Sequence, residues 1–192
     1  MLFDMVQTPV KKSLTLEEFL QLPETKPASE FIDGQIVQKP MPKTAHSIIQ
    51  GDLTTAINSA LKSSRTARAL PELRCSFGGR SIVSDVTVLP WSDIPRDKSG
   101  LMDGELFAAP AWMIEVLSPD QSQSKVVKKI IRAVSYGTML GWLIDPYEKC
   151  VFCYAPSPQI AIYEDIESVL PVPDFASEFS LTVGELFSWL YE

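Results

Sequence analysis

The chain predicts a mixed α/β (α+β) architecture, a β-sheet flanked by helices, and three observations carry that expectation. Over residues 44–62 the apolar positions Ala45, Ile48, Ile49, Leu53, Ile57, Ala60 and Leu61 recur at helical spacing, which marks a long amphipathic helix. Residues 67–77 and 81–89 are two strand-forming runs joined at Gly78-Gly79, a hairpin signal because glycine takes positive φ without strain. Residues 111–117 form a compact apolar run ended by Ser118-Pro119 and followed by a helical stretch over 122–136. Strands then run from Trp142-Leu143-Ile144-Asp145-Pro146 to about Tyr163.

The remaining elements follow in order. Thr15-Leu16-Glu17-Glu18 has the form of a capping box and opens a short helix through Leu22, closed by Pro23 and Pro27. Phe31-Ile32-Asp33-Gly34-Gln35-Ile36-Val37 is two short apolar runs across an Asp-Gly pair, a second hairpin. Residues 91–110 hold Pro, Gly and charge without a period and read as a loop. Thr182-Val183-Gly184-Glu185 repeats the capping-box pattern and starts a terminal helix. With no internal repeat, the expectation is one domain over 1–192, comprising an N-terminal tail over 1–13, the core, and a C-terminal extension over 164–192 that ends in a helix.

Composition narrows the function classes. Twenty-four acids against seventeen Lys and Arg give a net charge of −7, with 45% hydrophobic and 21% charged residues, which excludes a disordered tail. That balance argues against a protein that coats nucleic acid by phosphate neutralisation, but not against an enzyme that gathers its few basic residues in one cleft. No run approaches the ~18 apolar residues of a membrane helix, and the first twelve residues lack a signal-peptide pattern, so a cytoplasmic address is expected. Cys150 and Cys153 are spaced C-x-x-C but lie in a strand-like run, where residues three apart point to opposite faces. Packed thiols are the expectation there.

Two acids stand out. Glu115 lies alone within an apolar strand, where an ionised carboxylate costs several kcal/mol unless it is paired or bound to a metal. Asp85 is the single acid of Ile82-Val83-Ser84-Asp85-Val86-Thr87-Val88-Leu89. Each alone also reads as a strand-edge carboxylate in solvent; together, on one side of a sheet, they form a site for a hard divalent cation. Lys125, Lys128 and Lys129 follow on the next helix, with Lys125 and Lys129 four apart on one face. Such lysines are either a solvated face or a cation beside the metal.

Ile114-Glu115-Val116-Leu117-Ser118-Pro119, the downstream Lys129, Gly137 and Trp142-Leu143-Ile144-Asp145-Pro146 resemble the Uma family, abundant in cyanobacteria, of restriction-endonuclease-like proteins with a PD-(D/E)XK core. The resemblance also takes in Glu30, Asp33-Gly34, His46 and Asp85, and spans roughly residues 14–163. It implies Asp85 and Glu115 as metal carboxylates, the backbone carbonyl of Val116 as a further ligand, and Lys129 as the catalytic lysine, moved to the helix from the strand position held here by Leu117. It implies that Glu30 positions water or a second metal, and that His46 bonds a carboxylate or a phosphate. On the residues alone, His46 in a first helical turn and Glu30 at a hairpin also read as solvent-facing. The chain departs from the family pattern at Ser84, Lys125, Ala133 and Gly141, which stand in place of a proline, an acid, a tyrosine and an aromatic residue.

The implied activity is Mg²⁺- or Mn²⁺-dependent hydrolysis of DNA phosphodiester bonds. A homodimer is expected with it, since cutting both strands takes two centres. The alternative is a nuclease-like binding or assembly module without catalysis.

Overall fold

The structure, a computed structural model, describes residues 14–119, 121–157 and 160–191; the tail expected over 1–13 lies outside them. Among the described residues there are two sheets. The larger has six strands in the order β10-β9-β8-β7-β6-β3: β3 (Ala67–Pro71), β6 (Val86–Pro90), β7 (Trp112–Val116), β8 (Leu140–Asp145), β9 (Cys150–Tyr154) and β10 (Ile160–Tyr163). β7 and β8 are parallel, linked through α3 (Gln123–Val134), and all other neighbours are antiparallel. The smaller sheet is antiparallel, β2-β1-β5-β4, from β1 (Ser29–Ile32), β2 (Gln35–Gln38), β4 (Arg74–Phe77) and β5 (Arg80–Val83).

One long hairpin builds parts of both sheets. The expected strands 67–77 and 81–89 are each broken, at Glu72-Leu73 and at Ser84-Asp85, so that β3 and β6 lie in the large sheet and β4 and β5 in the small one. Pro71 closes β3, because proline has no amide to continue the ladder, and Glu72 takes φ +50° while its N–H bonds the Asp85 carbonyl at 3.2 Å. The two strands therefore bend at the same level. Asp85 thus sits at the bend between sheets rather than within a strand, as its sequence had suggested.

The large sheet is the middle layer. On one face Val86, Val88, Trp112, Ile114, Trp142 and Ile144 pack with Ile49, Leu53 and Ile57 of α2 (Thr44–Leu61) and with Leu186 and Phe187 of α4 (Val183–Ser188). Trp112 and Trp142 meet edge to face at 4.8 Å within this core. The opposite face, with Met113 and Leu143, meets Val126, Ile130 and Ala133 of α3 and Cys75, Phe77 and Ile82 of the small sheet. Alternation along β7 puts Glu115 on this second face, under α3.

Local signals translate directly. Thr15 and Thr182 both form complete capping boxes, the first opening α1 (Leu16–Leu20) and the second α4. Asp33 and Gly34 take φ +51° and +78°, the turn an Asp-Gly hairpin needs. Gly141 is required by packing, since a Cβ there would overlap Ile130 Cγ2. The departure from an aromatic residue at this position is therefore how α3 approaches β8. All three cysteines are free thiols and buried. Among the described residues no helix is long and apolar enough to cross a membrane.

Candidate active site

Four segments deliver charge to one place. Glu30 comes from the middle of β1, Asp85 from the bend, Glu115 from β7 and Lys129 from α3. All four are buried, Glu115 at 1% exposure. Lys129 is buried because it shares a helical stripe with Val126, Ile130 and Ala133, spaced i, i+3, i+4 and i+7. Lys125 and Lys128 are exposed. Of the three lysines, only Lys129 reaches the acids.

Lys129 Nζ is the hub. It lies 2.5 Å from Glu30 Oε1 and 2.9 Å from Glu115 Oε1, and donates to the Val83 carbonyl at 3.1 Å. Glu30 Oε1 also accepts the Val83 N–H at 2.9 Å, so Glu30 is a buried strut between β1 and β5 and not a solvent-facing hairpin residue. Glu115 is served less well. Its contact with Lys129 is an ion pair out of line for a hydrogen bond, and among the described residues neither of its oxygens receives one.

Asp85 is surrounded by donors. Oδ2 accepts the Val116 N–H at 2.7 Å, an amide left without a ladder partner because β6 begins only at Val86, opposite Ile114. Oδ1 accepts the ammonium of Lys39 at 2.6 Å and lies 3.4 Å from His46 Nε2. His46 is buried in the first turn of α2, with Nδ1 3.2 Å from Ser118 Oγ and Nε2 facing the Asp85 carboxylate, so it does not point to water. The Asp85 backbone carbonyl accepts from Gln50 at 2.8 Å. Lys39 and Gln50 were not singled out by sequence. Gln50 had a readable signal, lying four residues after His46 on the same helical face, whereas Lys39 lies in the aperiodic Lys39-Pro40-Met41-Pro42-Lys43 connection and had none.

Burial opposes charge on all these groups, and the outcome differs by partner. Burial would raise the Asp85 carboxyl, but Lys39 and His46 outweigh it and hold Asp85 well below the usual carboxylate range. At Glu115 burial wins over the opposing Lys129 ammonium, and with Asp85 and Glu30 adding to it the carboxyl is pushed up to about 7. Burial would lower Lys129, but the Glu115 and Glu30 carboxylates hold it above the ordinary lysine range. The cluster gathers three acids, Glu30, Asp85 and Glu115, around the two ammoniums of Lys39 and Lys129.

Glu30, Lys39 and Lys129 open onto a cleft of about 950 Å³ between the β1–β2 hairpin and α3. Among the described residues six cations line it, Lys39, Arg80, Lys125, Lys128, Lys129 and Arg132, against the acids Glu30 and Asp33. A chain of net charge −7 therefore carries a locally positive groove. Asp85 and His46 open instead onto a neighbouring cleft of about 440 Å³, and Lys39, Pro40 and Gln121 line both. Among the described residues no group of three or more His, Cys, Asp or Glu side chains is arranged to hold a metal ion.

Two layers of helix around a mixed sheet, with carboxylates and lysine gathered where a second sheet abuts it, are the frame of a nuclease-like fold. A crystal structure described as "a putative nuclease belonging to DUF820", from Anabaena variabilis ATCC 29413, matches it with a TM-score of 0.90 and 51% identity, over 92% of this chain and 99% of that one. Residues 16–184 match the family described as "Uma2: Putative restriction endonuclease", and the chain belongs to that family. No curated protein matches the chain.

Proposed function

We propose that this protein is a metal-dependent endonuclease that hydrolyses phosphodiester bonds of DNA, with Asp85, Glu115 and Lys129 at the reacting centre. One juxtaposition carries the reading: a buried carboxylate–lysine cluster lies beneath a positive cleft in an acidic protein. Family membership and the nuclease-like relative support it.

The donor set suits a hard divalent cation. Glu115 presents a buried carboxylate with an unpartnered oxygen, and Asp85 is held ionised beside it. Those two carboxylates, with the Val116 carbonyl, would hold the ion, and two or three protein ligands are what Mg²⁺ accepts while keeping waters and a substrate phosphate. When bound, Mg²⁺ or Mn²⁺ supplies Lewis acidity toward a phosphate oxygen and a water acidic enough to become the nucleophile.

The chain's own residues do the rest. Lys129 orients the attacking water and offsets charge that builds on the phosphoryl oxygens. Glu30 keeps the Lys129 ammonium in place from the other side. His46, fixed by Ser118, orients Asp85. Arg80, Lys125, Lys128 and Arg132 take backbone phosphates along the cleft. The water gives up a proton to solvent as its P–O bond forms, the P–O3′ bond breaks, and the 3′ oxygen leaves with a proton taken from solvent.

A second reading, a nuclease-like binding module without catalysis, is favoured by one observation, the Lys39 ammonium already seated on Asp85. Incubation with plasmid and single-stranded DNA in Mg²⁺ or Mn²⁺, beside Asp85→Ala and Glu115→Ala, decides between them. Cleavage that both substitutions abolish is expected. Wild-type cleavage no greater than the variants' would overturn the hydrolase reading.

A further inference from the structure

We infer that Lys39 is the resident counter-ion of the metal position: its ammonium occupies the Asp85 lobe that a divalent cation needs, and metal loading must expel it into the cleft. The inference rests on the proposed metal-dependent reading and adds a residue and a step to it. Lys39 Nζ is held at two points, Asp85 Oδ1 at 2.6 Å and the Val83 carbonyl at 2.9 Å, with the side chain 9% exposed. The same Val83 carbonyl accepts Lys129, so a single backbone oxygen lies between the two ammoniums. The charge balance of the cluster without metal thus depends on Lys39.

Every donor on Asp85 must be weighed as the one that leaves. The Val116 N–H on Oδ2 belongs to β7 and cannot move without breaking the strand that carries Glu115. His46 is anchored through Ser118 and rides on the first turn of α2. Lys39 is different, for it sits at the end of a four-carbon stem in the connection between β2 and α2 and lines both clefts. A cation at about 2.1 Å from Asp85 Oδ1 would lie within a few ångströms of the ammonium, where like charges in a buried site repel strongly. Ammonium and metal are therefore alternatives. Lys39 already lines the larger cleft with five other cations, and once displaced its ammonium is no longer neutralised by Asp85, so loading the site strengthens the groove for a phosphate backbone.

Two measurements test this. Calorimetric titration with MnCl₂ should give heats that Glu115→Gln abolishes, and Lys39→Gln should bind Mn²⁺ about tenfold more tightly than wild type, while Lys39→Arg, which keeps a cation, stays near wild type. In the unmodified protein, an amine-acylating reagent read by peptide mass spectrometry should label Lys39 slowly without metal and several-fold faster at saturating Mn²⁺, with Lys129 protected in both states. Lys39→Gln binding no tighter than wild type, or Lys39 remaining protected at saturating Mn²⁺, would overturn the inference while leaving metal dependence intact. Absence of any Glu115-dependent binding would overturn both. The labelling needs no variant, so it decides the matter even where Lys39→Gln fails to fold.

Discussion

Asp85, at the bend between β5 and β6, and Glu115, on the adjoining β7, are buried to the same degree and shifted in opposite directions. The difference lies in where each stands in the sheet. Asp85 is at a bend where β5 has ended and β6 has not begun, so an unclaimed amide from β7 is within reach and three elements bring donors to it. Glu115 is one residue from the end of β7, paired opposite Leu143 of β8, where the ladder consumes the backbone amides. It depends on one lysine that it shares with Glu30. A break in a sheet can hold a carboxylate ionised by itself, whereas a carboxylate within a sheet waits for something from outside.

The largest expected effect comes from removing the shared partner. Lys129→Met leaves Glu30 and Glu115 facing each other with no ammonium between them, and breaking a buried pair in this way costs about 3–5 kcal/mol. Urea denaturation at pH 8 should show a loss of that size, shrinking as pH falls and the acids take up protons. A loss below about 1 kcal/mol would mean that water reaches these carboxylates. Next is Glu115→Gln, with the opposite sign. The Glu115 carboxyl is raised from 4.5 to about 7, so the folded state binds more protons than the unfolded between those values and stability falls as pH rises through that window. At pH 8 Glu115→Gln should therefore be more stable than wild type by roughly 1 kcal/mol or more, with the advantage gone near pH 4. Activity should be lost together with this gain.

Asp85→Asn supplies the contrast. The Asp85 carboxyl is lowered, so its contribution is present above its ordinary value of 3.8 and is lost as pH falls through the lower folded value. The amide keeps one acceptor for the Val116 N–H but loses the charge that holds Lys39, a loss of about 2 kcal/mol at pH 7. In thermal melts from pH 4 to pH 8, Asp85→Asn should thus stay below wild type by a nearly constant margin, while Glu115→Gln starts level with wild type at pH 4 and rises above it by pH 8. Curves that move together would abolish the distinction between the two acids.

Much of this was legible from the chain. Both capping boxes, the Asp-Gly and Gly-Gly turns, α2, α3 and the strand–helix–strand unit through β7 and β8 follow local rules, because propensity and period agree with tertiary packing there. Glu115 was legible because a lone acid in an apolar strand has no local explanation. The division into two sheets was not, since β-branched residues continue through Ser84-Asp85 and only Pro71, on the opposite strand, betrays the bend. Lys129 was legible by spacing once its stripe is Val126, Ile130 and Ala133, yet pairing it with Lys125 put an exposed lysine on the same footing. Lys39 was illegible for a physical reason. Its position is set by the β1–β2 hairpin folding back over β5, a long-range contact that leaves no mark on the residues around it.

The smallest effect tests the bend itself. Ser84 and Asp85 are neighbours at the break, one with a donor for each oxygen and the other a hydroxyl that is fully buried with no partner among the described residues. A buried hydroxyl without a hydrogen bond costs on the order of 1 kcal/mol or more, and removing it restores most of that at the price of a small void. Ser84→Ala should therefore raise stability by up to about 1 kcal/mol, read as a rise of about 2–4 °C in Tm for a chain of this size. Ser81, three residues earlier on β5, is the control: its hydroxyl meets both Ser76 Oγ at 3.0 Å and Arg74 at 3.1 Å, so Ser81→Ala should lower Tm instead. If Ser84→Ala also lowers Tm, the hydroxyl has a bound water as partner, and the bend is as fully satisfied at Ser84 as it is at Asp85.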